Sequence, residues 1–388
     1  MFVRVPKISP ILFVDIGLRV GVCSVATLLF LLPAASGQEA DDNVSYLGQV
    51  FASDGSINDQ FGMSVSQSGD ILAVGSYLAP HGALNGAGAT YLFRVEQNGT
   101  ITFTTKVTSP NPASYENFGR SVSQSGNLIA IGSTGSDIGG KNDAGAVYLF
   151  RLEANGNATF LTKVTAPDAS AVDYFGNCVS FDADVLLVGA HTANPGGVSN
   201  AGAAYLFRTD QNGIATFLDK VEAPDGALND LFGAALSQSG NLIAVGAYNV
   251  DTGGGSNAGA VHLFHLEQNG TATHLSKLTA NDGEANDYFG GSVSVSGNLI
   301  AIGASGRDSS GLSDKGAVYL YRMEQNGAPS FLNKFYHFSG AASDRFGNSI
   351  SLHNNLLTVG AKSADPGGIL DAGVAYLFRI EDNGTSTF

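Results

Sequence analysis

Tryptophan is absent from the 388 residues and cysteine occurs only twice. Without tryptophan the chain lacks the broadest aromatic platform for a ligand ring, which leaves tyrosine for that work. Two cysteines cannot build a disulfide framework. Cys23 falls in an N-terminal leader, so Cys178 would stand alone once the leader is removed. Cys178 occupies a position otherwise held by Ser64, Ser121, Ala235, Ser292 and Ser349, and it reads as a buried packing residue rather than a reactive thiol. Positive charge is scarce: 19 Lys and Arg face 34 Asp and Glu, for a formal net charge of −15. Such a surface repels phosphate backbones and anionic lipid, so nucleic acid is not an expected partner.

Long apolar runs are missing too, apart from Val20 to Leu32 near the start. That run is shorter than the roughly 20 residues a bilayer-crossing helix needs. Arg4, Lys7 and Arg19 precede it and Ala35-Ser36-Gly37 follows, the pattern of a secretory signal over residues 1–37. A short linker, 38–45, would then lead into the folded region, 46–388. Removing the leader leaves 16 basic and 33 acidic residues, a net charge of −17. The expected product is a monomer without a membrane span, secreted to the extracellular space or the cell surface, or held in the periplasm.

What the chain has in quantity is glycine, 51 residues, spread with strict regularity. Phe-Gly recurs at Phe61-Gly62, Phe118-Gly119, Phe175-Gly176, Phe232-Gly233, Phe289-Gly290 and Phe346-Gly347, each 57 residues after the last. A Gly at 88, 145, 202, 259, 316 and 373 and an Asn-Gly pair at 98, 155, 212, 269, 326 and 383 keep the same period. In the second copy the pattern predicts strands over 118–124, 127–132, 145–153 and 158–165, joined in pairs by Ser-Gly and Asn-Gly hairpins. The middle two strands are apolar on both alternating faces, so both faces must be covered. Four-stranded sheets packed face to face around an axis achieve this, which predicts an all-β propeller of six antiparallel blades. Tyr46 to Val50 sits in phase with a fourth strand, and the last copy ends before its own. The expectation is therefore that the N-terminal strand completes the last blade and closes the ring, with seven blades as the alternative if the chain is a fragment.

Phe-Gly, followed by Ile131-Gly132-Ser133 or Val188-Gly189-Ala190 and then by Ala-Val-Tyr-Leu-Phe in the third strand, resembles the FG-GAP repeat. That resemblance covers residues 47–388 and implies a propeller like that of the integrin α-chain or of secreted microbial proteins, with binding or adhesion as its work. Two departures stand out. The family's Gly-Ala-Pro proline is replaced by Tyr77, Thr134, His191, Tyr248, Ser305 and Lys362. The Asp-x-Asp-x-Asp-Gly loop of calcium-binding blades is missing, so calcium is a candidate without its usual site, and no other cofactor or metal is called for.

In this topology the loops after the second and fourth strands emerge on one face and are longer than the hairpins opposite. Acids gather there: Asp59, Glu116, Asp173, Asp230, Asp287 and Asp344 two residues before each Phe, and Asp137, Asp251, Asp308 and Asp365 in the Gly-rich loops. Their even recurrence favours turn closure, since Asp accepts hydrogen bonds from nearby backbone N–H groups. Tyr77, His81 and Tyr248 differ between copies and are the candidate ligand contacts, together with Asp137, Asp251, Asp308 and Asp365. No nucleophile stands with a matching base and no histidine cluster has metal spacing, so catalysis is not expected. The reading is a non-enzymatic binding or adhesion propeller for an extracellular protein or glycan; a polysaccharide hydrolase or lyase and a structural module of the cell envelope are the alternatives.

Overall fold

The structure, a computed structural model, describes residues 48–309, 311–337, 340–381 and 384–387. The leader and the linker lie outside the described residues, and so does the outcome for Cys178, which depends on Cys23. Six four-stranded antiparallel sheets follow one another along the chain, each in simple meander order. The second blade runs Phe118–Ser125, Leu128–Ser133, Ala146–Leu152 and Ala158–Val164, within two residues of the expected bounds. Apart from two three-residue 3-10 turns at Pro195–Gly197 and Pro366–Gly368, the described secondary structure is strand.

Burial follows the two-faced apolar pattern. Leu128 to Ser133 is buried at every position, whereas the outer strand Ala158–Val164 is largely exposed. First strands line the axis and fourth strands form the outer wall. Between consecutive blades a core of Val, Leu, Ile, Tyr and Phe side chains closes, as where Val147, Leu149 and Val164 meet Phe175, Val179 and Leu186.

Phe-Gly is the clasp of each seam. Phe118, Phe175, Phe232, Phe289 and Phe346 are fully buried, and each bridges in parallel to a glycine of the preceding blade: Gly88, Gly145, Gly202, Gly259 and Gly316. Gly119 has φ +89°, and a Cβ there would run into the carbonyl of Ala89, so glycine is needed for both the turn and the approach. Ser64, Ser121 and Ser292 donate to the carbonyls of Gly119, Gly176 and Gly347 at 2.9, 2.8 and 2.7 Å. Cys178 and Ala235, both buried, stand in that serine's place.

The sixth blade departs from expectation. Its fourth strand is Ser386–Thr387, paired to Arg379 and Ile380 of the same blade, while residues 48–50 are irregular. The N-terminal segment therefore does not complete the last blade in these described residues. Val50 and Ala52 pack instead against the first blade beside Phe61, Val65 and Ile101. Gly373 forms no parallel bridge to Phe61, and Phe61 is half-exposed where its five counterparts are buried. A backbone pairing that seats an extra strand needs a blade edge brought up to it, and the seam between blades six and one lacks the clasp that does this elsewhere.

The lysine column of the outer strands has a different role from the guarding of an exposed edge that its position suggests. Lys106, Lys220, Lys277 and Lys334 pair with Asp54, Asp168, Asp225 and Asp282 at 2.6–2.8 Å. Lys106, Lys220 and Lys334 also sit over Tyr91, Tyr205 and Tyr319, whose hydroxyls donate to the same aspartates. In the second blade Asn111 stands where the others have that aspartate, and the longer Glu116 takes the tyrosine hydroxyl, with Tyr148 donating at 2.6 Å.

Candidate functional site

The acids preceding each Phe-Gly are turn anchors. Asp59, Asp173, Asp230, Asp287 and Asp344 accept the backbone N–H three residues upstream at 2.6–2.8 Å, and all five are buried. Burial raises the carboxyls of Asp173, Asp230 and Asp287 above the ordinary carboxylate range. Asp137, Asp251, Asp308 and Asp365 lie on exposed loop tips and accept the N–H of Asp143, Asn257, Asp314 and Asp371 at 2.7–3.0 Å. They stand apart from one another, one per blade. His81 is exposed and its backbone bonds reciprocally with Leu84 in a tight loop. Among the described residues no group of three or more His, Cys, Asp or Glu side chains is arranged to hold a metal ion.

Tyr77 and Tyr248 behave differently, because the structure brings them into one cluster. Tyr77 follows the second strand of blade one, and the residues in register with it are Thr134, His191, Tyr248, Ser305 and Lys362. This is the column where the family has proline. Across each seam lies the residue just after the next blade's Phe-Gly, the column of Met63, Arg120, Asn177, Ala234, Gly291 and Asn348, as Arg120 lies against Tyr77 and Gly291 beside Tyr248. From these two columns Tyr77, Arg120, Asn177, His191 and Tyr248 come together in one cluster.

Arg120 is the centre of this cluster. Its guanidinium lies over the Tyr77 ring, 5.1 Å from the centroid, and donates to Asn177 Oδ1 at 3.4 Å from both Nε and Nη2. Tyr77 and Tyr248 both act on it electrostatically, so residues of blades one, two, three and four converge here. Burial lowers the guanidinium's affinity for its proton, although it stays charged at any ordinary pH. His191 stacks on Tyr174 at 6.1 Å between ring centroids. Burial, with Arg120 nearby, pushes its pKa down to about 4, so it is neutral at physiological pH and can donate as well as accept. Its Nδ1, the Nδ2 of Asn177 and the Nδ2 of Asn348 are buried with no protein partner among the described residues. Tyr248 packs edge-on to Tyr288, and burial raises its hydroxyl pKa. Lys362 completes the column from blade six, with burial and the neighbouring Arg345 pushing its pKa down.

Sequence reasoning singled out Tyr77 and Tyr248 and passed over Arg120, Asn177 and His191, which the structure places with them. The signal was there: at the position after the invariant Phe-Gly the six copies carry five residue types, Met, Arg, Asn, Ala and Gly. A groove of about 320 Å³ also opens on the opposite, hairpin end between blades three and four, lined by Asp182, Asp184, Arg208 and Gln268. It is shallow and built from turn residues.

The FG-GAP repeat model matches this chain six times, over residues 47–93, 101–150, 159–207, 216–264, 273–321 and 335–378. Among curated proteins, none matches. Solved structures with a similar chain path include the periplasmic gluconolactonase PpgL of Pseudomonas aeruginosa, at 14% identity over 83% of this chain and 82% of that one, with a TM-score of 0.53. A Lactobacillus plantarum protein follows at 12% identity over 83% and 82%, TM-score 0.48. Sqt1 of Saccharomyces cerevisiae is similar at 12% identity over 84% and 83%, TM-score 0.43. The gluconolactonase corrects one expectation. Catalysis was not expected because no nucleophile stands with a matching base and no histidine cluster has metal spacing, yet a propeller of similar fold is an enzyme, so the fold itself offers no ground for excluding catalysis.

Proposed function

The chain belongs to the FG-GAP repeat family, and on that premise we propose that it is an extracellular binding propeller which engages a protein or glycan ligand through the central opening of its long-loop face. The observation that carries this reading is a contrast. Five seams repeat the same clasp, while Tyr77, Arg120, Asn177, His191 and Tyr248, from four blades, converge in a cluster that is not sixfold. A scaffold requirement would recur in every blade, whereas a ligand without sixfold symmetry needs unlike neighbours around one point. Tyr77 and Tyr248 supply half-exposed aromatic surface of the kind that anchors interfaces. Arg120, Asn177 and His191 supply directed hydrogen-bonding groups in a mostly enclosed setting, the composition of a ligand site. The reading does not depend on an absence of catalysis.

The test is capture of the mature protein on an array of glycans and immobilised extracellular proteins, beside the Tyr77→Ala/Tyr248→Ala double variant and a variant of the hairpin end, Gln268→Ala. Loss of capture in the tyrosine variant alone supports the reading. Equal capture by all three proteins, or loss only in Gln268→Ala, refutes it.

A further inference from the structure

The hairpin end of the molecule, opposite the long loops, carries a pattern that its turns do not need. In blades one, two, four and five the asparagine of the Asn-Gly hairpin accepts the backbone N–H two residues on. Thr100 and Thr271 donate that N–H in blades one and four, at 2.9 Å from Asn98 and Asn269. Asn157 and Ala328 donate it in blades two and five, at 3.0 Å from Asn155 and Asn326, so the turn asks for a backbone N–H there and not for a threonine. Asn157 is itself followed by Ala158 and Thr159. Asn98, Asn157 and Asn269 are exposed, and so are Thr100, Thr159 and Thr271. Among the described residues the Nδ2 groups of these three asparagines and the hydroxyls of these three threonines enter no hydrogen bond.

We propose that Asn98, Asn157 and Asn269 are modification sites, each carrying an N-linked oligosaccharide. Asn-x-Thr is the acceptor sequence for this modification in secreted proteins and needs a surface position, which all three have. The donor class is an oligosaccharide carried on a polyprenyl diphosphate. The bond from Nδ2 to the anomeric carbon forms as the bond from that carbon to the diphosphate oxygen breaks; the lipid diphosphate leaves with the electron pair and the amide gives up one proton to a base. Because only Nδ2 is altered, Oδ1 of Asn98 and of Asn269 keeps its bond to the turn. Asn43 and Asn383 have the same sequence and lie outside the described residues.

The placement is one-sided. The long-loop end is also rich in asparagine, with Asn85, Asn142, Asn194, Asn200, Asn229 and Asn257, yet none of these is followed two residues on by Ser or Thr. Bulky, hydrated sugar on the hairpin end of blades one, two and four shields that end and leaves the long-loop face open, whatever that face binds.

The full chain with its own leader, produced in an insect or mammalian secretory host and recovered from the medium, tests this by peptide mass spectrometry before and after a peptide N-glycosidase, which releases the sugar and turns each occupied asparagine into aspartate. Conversion is expected at Asn98, Asn157 and Asn269. Thr100→Ala and Thr271→Ala should each empty their own site alone, with the turn still closed as it is by Ala328 in blade five, and Thr100→Ser should keep the sugar on Asn98. Unmodified asparagine at all three positions in the secreted protein overturns the proposal. So does a chain that stays in the cytosol without sugar, and so does sugar that persists on Asn98 in Thr100→Ala. Sugar on asparagines of the long-loop end overturns the one-sided placement.

Discussion

Blade four contains a built-in comparison of histidine with tyrosine. Where blades one, three and five place a tyrosine whose hydroxyl donates to an aspartate, as Tyr205 does to Asp168 at 2.8 Å, this blade has His262, 1% exposed. Its Nδ1 meets His274 Nε2 at 3.2 Å, but its Nε2 stays 3.8 Å from Asp225, too far for a hydrogen bond. Burial first, and Lys277 second, push the pKa of His262 from 6.5 down to about 4. A folded-state pKa below the unfolded value means that the unfolded chain takes up the proton first as pH falls. The stability associated with this group is therefore complete above about pH 6.5 and is lost progressively down to about pH 4. At about pH 5 the loss is about 2 kcal/mol, and it levels off near about 3 kcal/mol below pH 4. His274, whose pKa is also lowered by burial, adds to it with the same sign. The double variant His262→Tyr/His274→Phe restores the arrangement of the other blades. Urea unfolding at about pH 8 and about pH 5 should show wild type losing about 2 kcal/mol more than the variant between the two. His191 is retained in both proteins, so its own loss cancels in the comparison. Equal losses would refute the account of the buried pair.

Two further perturbations address the seams and the loops. Phe289→Ala should cost about 3–5 kcal/mol, the usual range for emptying a buried phenylalanine site, whereas Phe61→Ala should cost half of that or less because Phe61 is half-exposed at the unclasped seam; equal costs in urea unfolding would mean that blades one and six meet in solution. Val172, a β-branched residue held at φ +66°, stands where Asn58, Asn229 and Asn286 stand in other copies, so Val172→Asn should stabilise by about 1 kcal/mol, and an unchanged or lower thermal midpoint would contradict a strained backbone there.

The blades were legible because their signals are local. Ser-Gly and Asn-Gly turns set the hairpins, as Asn98, Asn155 and Asn269 show by accepting the N–H two residues on, and two-faced apolar strands announced burial on both sides. Ring closure was not legible, since whether blade six reaches blade one depends on the sum of five inter-blade rotations, and no single repeat encodes that sum. The partners of the lysine column were not legible for a related reason: position on an outer strand is visible in the pattern, but the aspartate that meets Lys106 lies 52 residues earlier in the chain. Arg120 escaped because attention to recurrence favours what every blade needs, and a ligand group is what only one blade carries.

The clasped seams also have a consequence for how the molecule comes apart. Each blade is held chiefly by its immediate neighbours, so stability is close to a sum of nearest-neighbour terms, as in a linear array. With one seam unclasped, unfolding has two free ends, and amide exchange should be fastest in blades one and six and slowest in the middle of the chain. Arg120, Asn177 and His191 belong to blades two and three, within the slow region, while Tyr77 and Lys362 ride on the blades that fray. The cluster is thus part anchor and part moving edge: Arg120, Asn177, His191 and Tyr248 hold their positions while Tyr77 breathes beside them.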